Sequence, residues 1–202
     1  MRFNFAATPA SWLILGAILI VSVIALRIAP GIIERNLLRP YWLLRKRQYD
    51  TIITSGFIHG DFGHLFFNAL TLFSFGPALE GHIGTPKFVA LYFAGLLLSS
   101  LGTVYKQRNN PDYAALGASG AILAVVFAYV VYFPKHILFL FFVPMPAIVF
   151  AVVYLGYTIW ASQNRRDNIA HDAHLDGALT GLIFVGLTDF HAWKRFFGMF
   201  FG

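Results

Sequence analysis

Four residues in an otherwise oily chain are of kinds that perform hydrolysis. Ser119 lies in "ALGASGAIL", Ala115 to Leu123, between Gly117 and Gly120. His174 lies in "AHLDGALTG", which starts at Ala173, and His64 and Asn68 lie in "HGDFGHLFFN", which starts at His59. A serine hydroxyl is a weak nucleophile until a base takes its proton, and imidazole is the usual base near neutral pH. Ser119 and His174 supply that pair. Acyl transfer also needs donors for the developing oxyanion. His64 and Asn68, one helical turn apart, share a face and can donate beside the Ser119 amide. Gly117 and Gly120 let the backbone near Ser119 come close to a substrate. Each residue also has a plainer use: Ser119 as a helix-packing serine, His174 as a buried histidine satisfied by a neighbour, Asn68 as interhelical glue.

These groups sit in a chain made for lipid. Of 202 residues, 58% are hydrophobic and only 12% charged, and mean hydropathy is +0.67; soluble domains carry about a quarter charged residues. A spanning helix needs roughly 20 mainly apolar residues. Six such runs stand out, at 12–29, 62–79, 88–105, 113–133, 137–161 and 173–190. The first is longer than a signal-peptide core and lacks an evident cleavage pattern, so it reads as a retained helix. Short connections leave little room for a soluble domain, and residues 1–202 form one membrane domain. With no cysteine, disulfides and thiolate metal sites are excluded. The basic residues mix with Trp and Tyr beside the spans, which favours lipid headgroups over nucleic acid.

The connections set the geometry. Pro30–Asp50 interleaves basic and apolar residues, as a segment lying in the interface does. Pro144 and Pro146 predict a kink in span five, and the tail "HAWKRFFGMFFG" predicts an aromatic interfacial anchor. Spans two, four and six run in one direction, so their N-terminal ends share a face. His64 and Asn68 fall in the first turns of span two. Ser119 follows Pro111 by a little over two turns, and His174 follows Asp167 by about two. At a rise of about 1.5 Å per residue, both lie on the order of 10 Å from that face. Polar groups inside a membrane are functional suspects, and these share one depth.

Those motifs, with Leu79–Glu80, resemble the rhomboid intramembrane serine proteases from about Trp12 to Phe190. The resemblance implies an all-α membrane protein, a six-transmembrane-helix bundle with a water-filled cavity open to the outer face. It implies a Ser119–His174 dyad with no third acid and no cofactor or metal. His64, Asn68 and the Ser119 backbone, with Gly117, would stabilise the oxyanion, while Gly177 and Gly181 would let span six pack closely. The substrates would be membrane-anchored proteins, cut in or near their transmembrane segments through an acyl-enzyme. The chain would be an integral multi-pass protein of a bacterial inner membrane; its oligomeric state is not legible.

Three features depart from the pattern. Asp50 and Thr51 stand where many relatives carry a Trp-Arg pair, and Leu123 stands where some members stack an aromatic on the catalytic histidine. Asp176 replaces a small residue. It lies about 200° around the helix from His174, and is expected to be buried, protonated and donating a hydrogen bond that fixes span six. His59 is expected to hold the loop before span two.

Ten basic residues on the site-bearing face against five on the other would make that face cytoplasmic. Five of the ten fall in Pro30–Asp50, which headgroups can bind, and the family orientation is preferred. Two other readings compete. One is a catalytically silent, client-binding relative, whose usual sign is loss of the Ser or His. The other is an intramembrane metal-binding protein or transporter using "HDAHLD" with His59 and His64, which leaves Ser119 and its glycines unexplained.

Overall fold

The structure, a computed structural model, describes residues 6–140, 143–164 and 170–201. Its first helix, α1 (Pro9–Arg27), starts on a proline, whose missing N–H costs nothing there. Ser11, Ile14, Leu15, Ile18, Ser22 and Ala25 make its buried stripe at helical spacing. The N-cap Thr8 makes no side-chain capping bond. Glu80 caps the helix instead, from a distant helix end. Its two carboxyl oxygens accept from the Ala10 and Ser11 amides at 3.0 and 2.7 Å, and one also accepts from the Thr85 hydroxyl at 2.7 Å.

The segment expected to lie in the interface folds into α2 (Gly31–Asn36), α3 (Pro40–Arg45) and α4 (Thr51–Thr54), followed by a 3-10 turn at Ser55–Phe57. It is tied to the protein as well. Leu38 and Ala115 exchange both backbone hydrogen bonds, and the Trp42 indole donates to the Pro111 carbonyl at 3.1 Å. Asp50 pairs with Arg35 at 2.8 Å, and the Thr51 hydroxyl donates to Gln48 O. These bonds fix the loop where a Trp-Arg pair is missing.

Two long helices follow, α5 (Phe62–Ile83) and α6 (Thr85–Gln107), with Gly84 between them at φ +83°. Span four is shorter than expected. Instead of a helix over 113–133, α7 covers Ser119–Tyr132, and the chain from Pro111 to Gly117 is non-helical. Every residue from Gly120 to Val131 is buried, as a helix apolar on all sides must be when others surround it.

Span five differs more. Part of the stretch expected to be helical and kinked is extended: β1 (Ile137–Leu140) pairs antiparallel with β2 (Val143–Pro146), Ile137 opposite Pro146. Two prolines at alternate positions remove the N–H groups a helix would need. Helix α8 (Ala147–Asn164) starts directly after the second. Its first amides, Ala147 and Ile148, donate to the His136 and Pro134 carbonyls.

Span six is α9 (His171–Thr188), and the aromatic tail is a separate α10 (Phe190–Phe201) after a break at Asp189. Arg2, Arg165 and Arg166, counted for orientation, and most of the Ser162–Asn168 connection lie outside the described residues.

The fold is α-helical, and among the described residues α1, α5 and α6 are long and apolar enough to cross a membrane. Large apolar side chains point outward around the bundle: Leu13, Phe66, Leu98, Val152 and Leu187 are all more than half exposed. Lipid, not water, suits such a surface.

Candidate active site

Ser119 is the first residue of α7, and His174 sits in the first turn of α9. Neither lies two turns inside a helix, so the helical-rise estimate of depth does not hold. What they share is the N-terminal end of a helix. His174 Nε2 stands 2.9 Å from Ser119 Oγ, a normal hydrogen-bond distance.

Glycines bring these two helices together. A Cβ placed on Gly177 would lie 2.2 Å from the Gly120 carbonyl oxygen, and one on Gly181 would lie 2.3 Å from that of Ala124. The backbones of α9 and α7 therefore touch. Gly120, read as room for a substrate, is filled by packing: its Cβ would meet the Ser99 hydroxyl at 2.2 Å.

The strand leading to Ser119 is held by its own backbone. Ala115 bonds Leu38, and the Gly117 amide donates to Ser55 O at 2.9 Å. The Ala118 amide donates to His59 Nε2 at 3.4 Å. Buried irregular backbone needs such partners. His59 is wholly buried. Its Nδ1 lies 2.9 Å from Ser22 Oγ, whose hydroxyl donates to Phe57 O. Ser22 therefore accepts from Nδ1–H, and Nε2 is the acceptor. One neutral tautomer satisfies every partner. Burial, then the charge of His64, drive the His59 pKa from its ordinary 6.5 down to about 3, against a smaller opposing effect of Asp61.

His64 lies over Gly117. This glycine has φ +113°, a left-handed conformation that other residues rarely adopt. A Cβ there would sit 2.5 Å from His64 Cε1. The imidazole fills the space that the missing side chain leaves, one residue from Ala118 and two from Ser119. Asn68 is buried on the next turn of α5 and donates one amide N–H to His64 O at 3.1 Å. The amide's second N–H is the one left for another acceptor. The α7 N-cap, Ala118, has no side-chain bond to give, so the first amides of α7, Ser119 among them, keep their N–H groups and the helix's positive end.

Two features escaped sequence reasoning. Tyr154 on α8 places its hydroxyl 3.2 Å from His174 Nδ1; no motif surrounds it, and only its position in a span near the histidine could have flagged it. Asp176 makes no hydrogen bond of the expected kind. Lys106 lies 3.1 Å from Asp172 and 3.8 Å from Asp176. The other Asp176 oxygen is buried without a hydrogen-bond partner, over Gly102, where an added Cβ would lie 2.0 Å away. Among the described residues no three His, Asp or Glu side chains converge as a metal site.

The model of the rhomboid domain matches residues 46–189. This chain belongs to the rhomboid family. It is 32% identical over 164 residues to the RHOMBOID-like protein 12, mitochondrial, of Arabidopsis thaliana, covering 73% of this rhomboid and 46% of the relative. To the Rhomboid protein 1, mitochondrial, of Saccharomyces cerevisiae it is 31% identical over 156 residues, covering 73% and 45%. A relative from Bacillus subtilis is 32% identical over 93 residues, covering 45% and 46%. The chain thus spans about half the length of these curated relatives. Two of the three are mitochondrial by name, and the bacterial inner membrane expected from the sequence is not supported by them.

Proposed function

We propose that this rhomboid is an intramembrane serine endopeptidase that cuts membrane-anchored proteins in or near their transmembrane segments. The observation that carries the reading is the 2.9 Å approach of His174 Nε2 to Ser119 Oγ at the N-terminal ends of two helices in a lipid-facing bundle. His174 Nε2 takes the hydroxyl proton as Ser119 Oγ attacks the scissile carbonyl carbon. The oxyanion that forms is met by the Ser119 amide at the start of α7, with His64 and the free N–H of Asn68 as side-chain donors. Nε2–H then gives its proton to the leaving amine, and the C–N bond breaks. Water, deprotonated by the same imidazole, hydrolyses the acyl-enzyme and restores the serine. No third carboxylate takes part.

The single membrane domain has six crossings, α1, α5, α6, α7, α8 and α9. Fourteen residues give α7 a length of about 21 Å, short of a hydrocarbon core of about 30 Å. The non-helical Pro111–Ala118 segment makes up the difference.

A fluorophosphonate probe applied to the folded protein, followed by peptide mass mapping, tests this. Modification at Ser119, lost in His174→Ala and indifferent to a chelator, is the expected result. A folded protein that cuts a membrane-anchored substrate equally well as Ser119→Ala would overturn it. A folded protein with an unreactive Ser119 and no cleavage would be the client-binding relative.

A further inference from the structure

A dyad without a third acid leaves open what holds its histidine. His174 can act as base toward Ser119 only with its proton on Nδ1; with the proton on Nε2, the ring would donate to the serine and catalysis would stall. Leu123, where some relatives stack an aromatic, is an aliphatic side chain in the core and offers Nδ1 nothing. The polar atom at Nδ1 is the Tyr154 hydroxyl, 3.2 Å away. Its ring is fixed on two sides, stacked on Phe150 at 5.6 Å between centroids and tilted against Phe127 of α7 at 5.9 Å.

We infer that Tyr154 is a positioning residue, accepting from His174 Nδ1–H so that Nε2 faces Ser119 as the proton acceptor; this rests on the proteolytic reading above. The direction of the hydrogen bonds follows from the partners. A tyrosine hydroxyl both donates and accepts, whereas taking the Ser119 proton requires an unprotonated Nε2. The Tyr154 lone pairs then face Nδ1–H, and Ser119 O–H donates to Nε2. The tautomer of the histidine is therefore set from α8, a helix that contributes neither nucleophile nor base. The same logic fixes histidine tautomers elsewhere, through the hydrogen bond that the other ring nitrogen makes.

The test is Tyr154→Phe in the full chain, which keeps the ring and removes the hydroxyl. In protein carrying 15N-histidine, with the His174 signals assigned by their loss in His174→Gln, the proton is expected on Nδ1 in the parent. In Tyr154→Phe it is expected to shift substantially to Nε2, with the melting temperature unchanged. Turnover should fall roughly tenfold, the factor carried by one neutral hydrogen bond, at unchanged KM. An unaltered tautomer, or an unaltered kcat, in Tyr154→Phe would overturn the inference. A tautomer that responds in a protein without proteolytic activity would uphold the positioning and refute the proteolytic reading alone.

Discussion

Replacing Gly177 by alanine adds one methyl group where two helices touch. That methyl would lie 2.2, 2.8 and 2.9 Å from the oxygen, carbon and Cα of Gly120. All three are backbone atoms at the start of α7, so no rotamer relieves the clash. Ordinary contact begins near 3.4 Å, so α9 must retreat from 2.2 Å by about 1.2 Å. His174 is three residues away on the same helix. Moved with it, Nε2 goes from 2.9 Å to about 4 Å from Ser119 Oγ, beyond hydrogen bonding. Misplacement of about 1 Å costs on the order of 10² in rate, and overpacking costs about 1–3 kcal/mol in stability. The assay is cleavage of a membrane-anchored fluorogenic substrate in proteoliposomes, with thermal unfolding followed in parallel. Gly16→Ala, where an added Cβ has nothing within 4 Å, should leave activity intact and stability equal or slightly raised. Parental turnover in Gly177→Ala would refute the close contact of α7 with α9 as the device that assembles the site.

Acid sensitivity should trace in part to His59. Its pKa is about 3 in the folded chain against an ordinary 6.5, so the unfolded chain binds the extra proton between those values. The stability it contributes is full above pH 6.5 and is lost as pH falls toward 3, by at most about 1.4 kcal/mol per pH unit; His59→Asn should flatten the acid limb of melting temperature against pH, and an unchanged limb would contradict this. Glu80→Ala strands two buried amides of α1 and should cost about 3 kcal/mol, read by denaturant or thermal unfolding; a change below 1 kcal/mol would show that α1 is held otherwise. Asp176→Asn should keep activity within about twofold and stability within about 1 kcal/mol, since its ion pair with Lys106 is long and partly exposed. Loss of turnover in a folded Asp176→Asn protein would place that carboxyl in the chemistry.

The residues of the candidate site could be singled out in the chain because their chemistry is rare in lipid and they cluster near the N-terminal ends of α5, α7 and α9. Gly177 and Gly181 were legible for the same reason, as small residues one turn apart on the face of His174. Helix ends were less so. Apolar residues at 113–118 and 137–146 match a span in hydropathy, and only backbone hydrogen bonding separates helix from loop or strand. Ala115 and Leu38 pair across 77 positions of sequence, a contact that local pattern does not encode. Tyr154 was hidden differently. A tyrosine in a span reads as an interface aromatic, and its partnership with His174 exists only once α8 lies against α9. The surroundings of Asp176 were hidden because Lys106, 3.8 Å away, lies near the end of α6 and carries no motif.

The central claim is that Ser119 attacks a peptide bond with His174 as its base. The most direct measurement is cleavage of a membrane-anchored substrate by purified protein in proteoliposomes, comparing the parent with Ser119→Ala and His174→Ala at matched folding and insertion. Cleavage by the parent, and none above background in either variant, is the expected result. Cleavage by folded Ser119→Ala at the parental rate would contradict it.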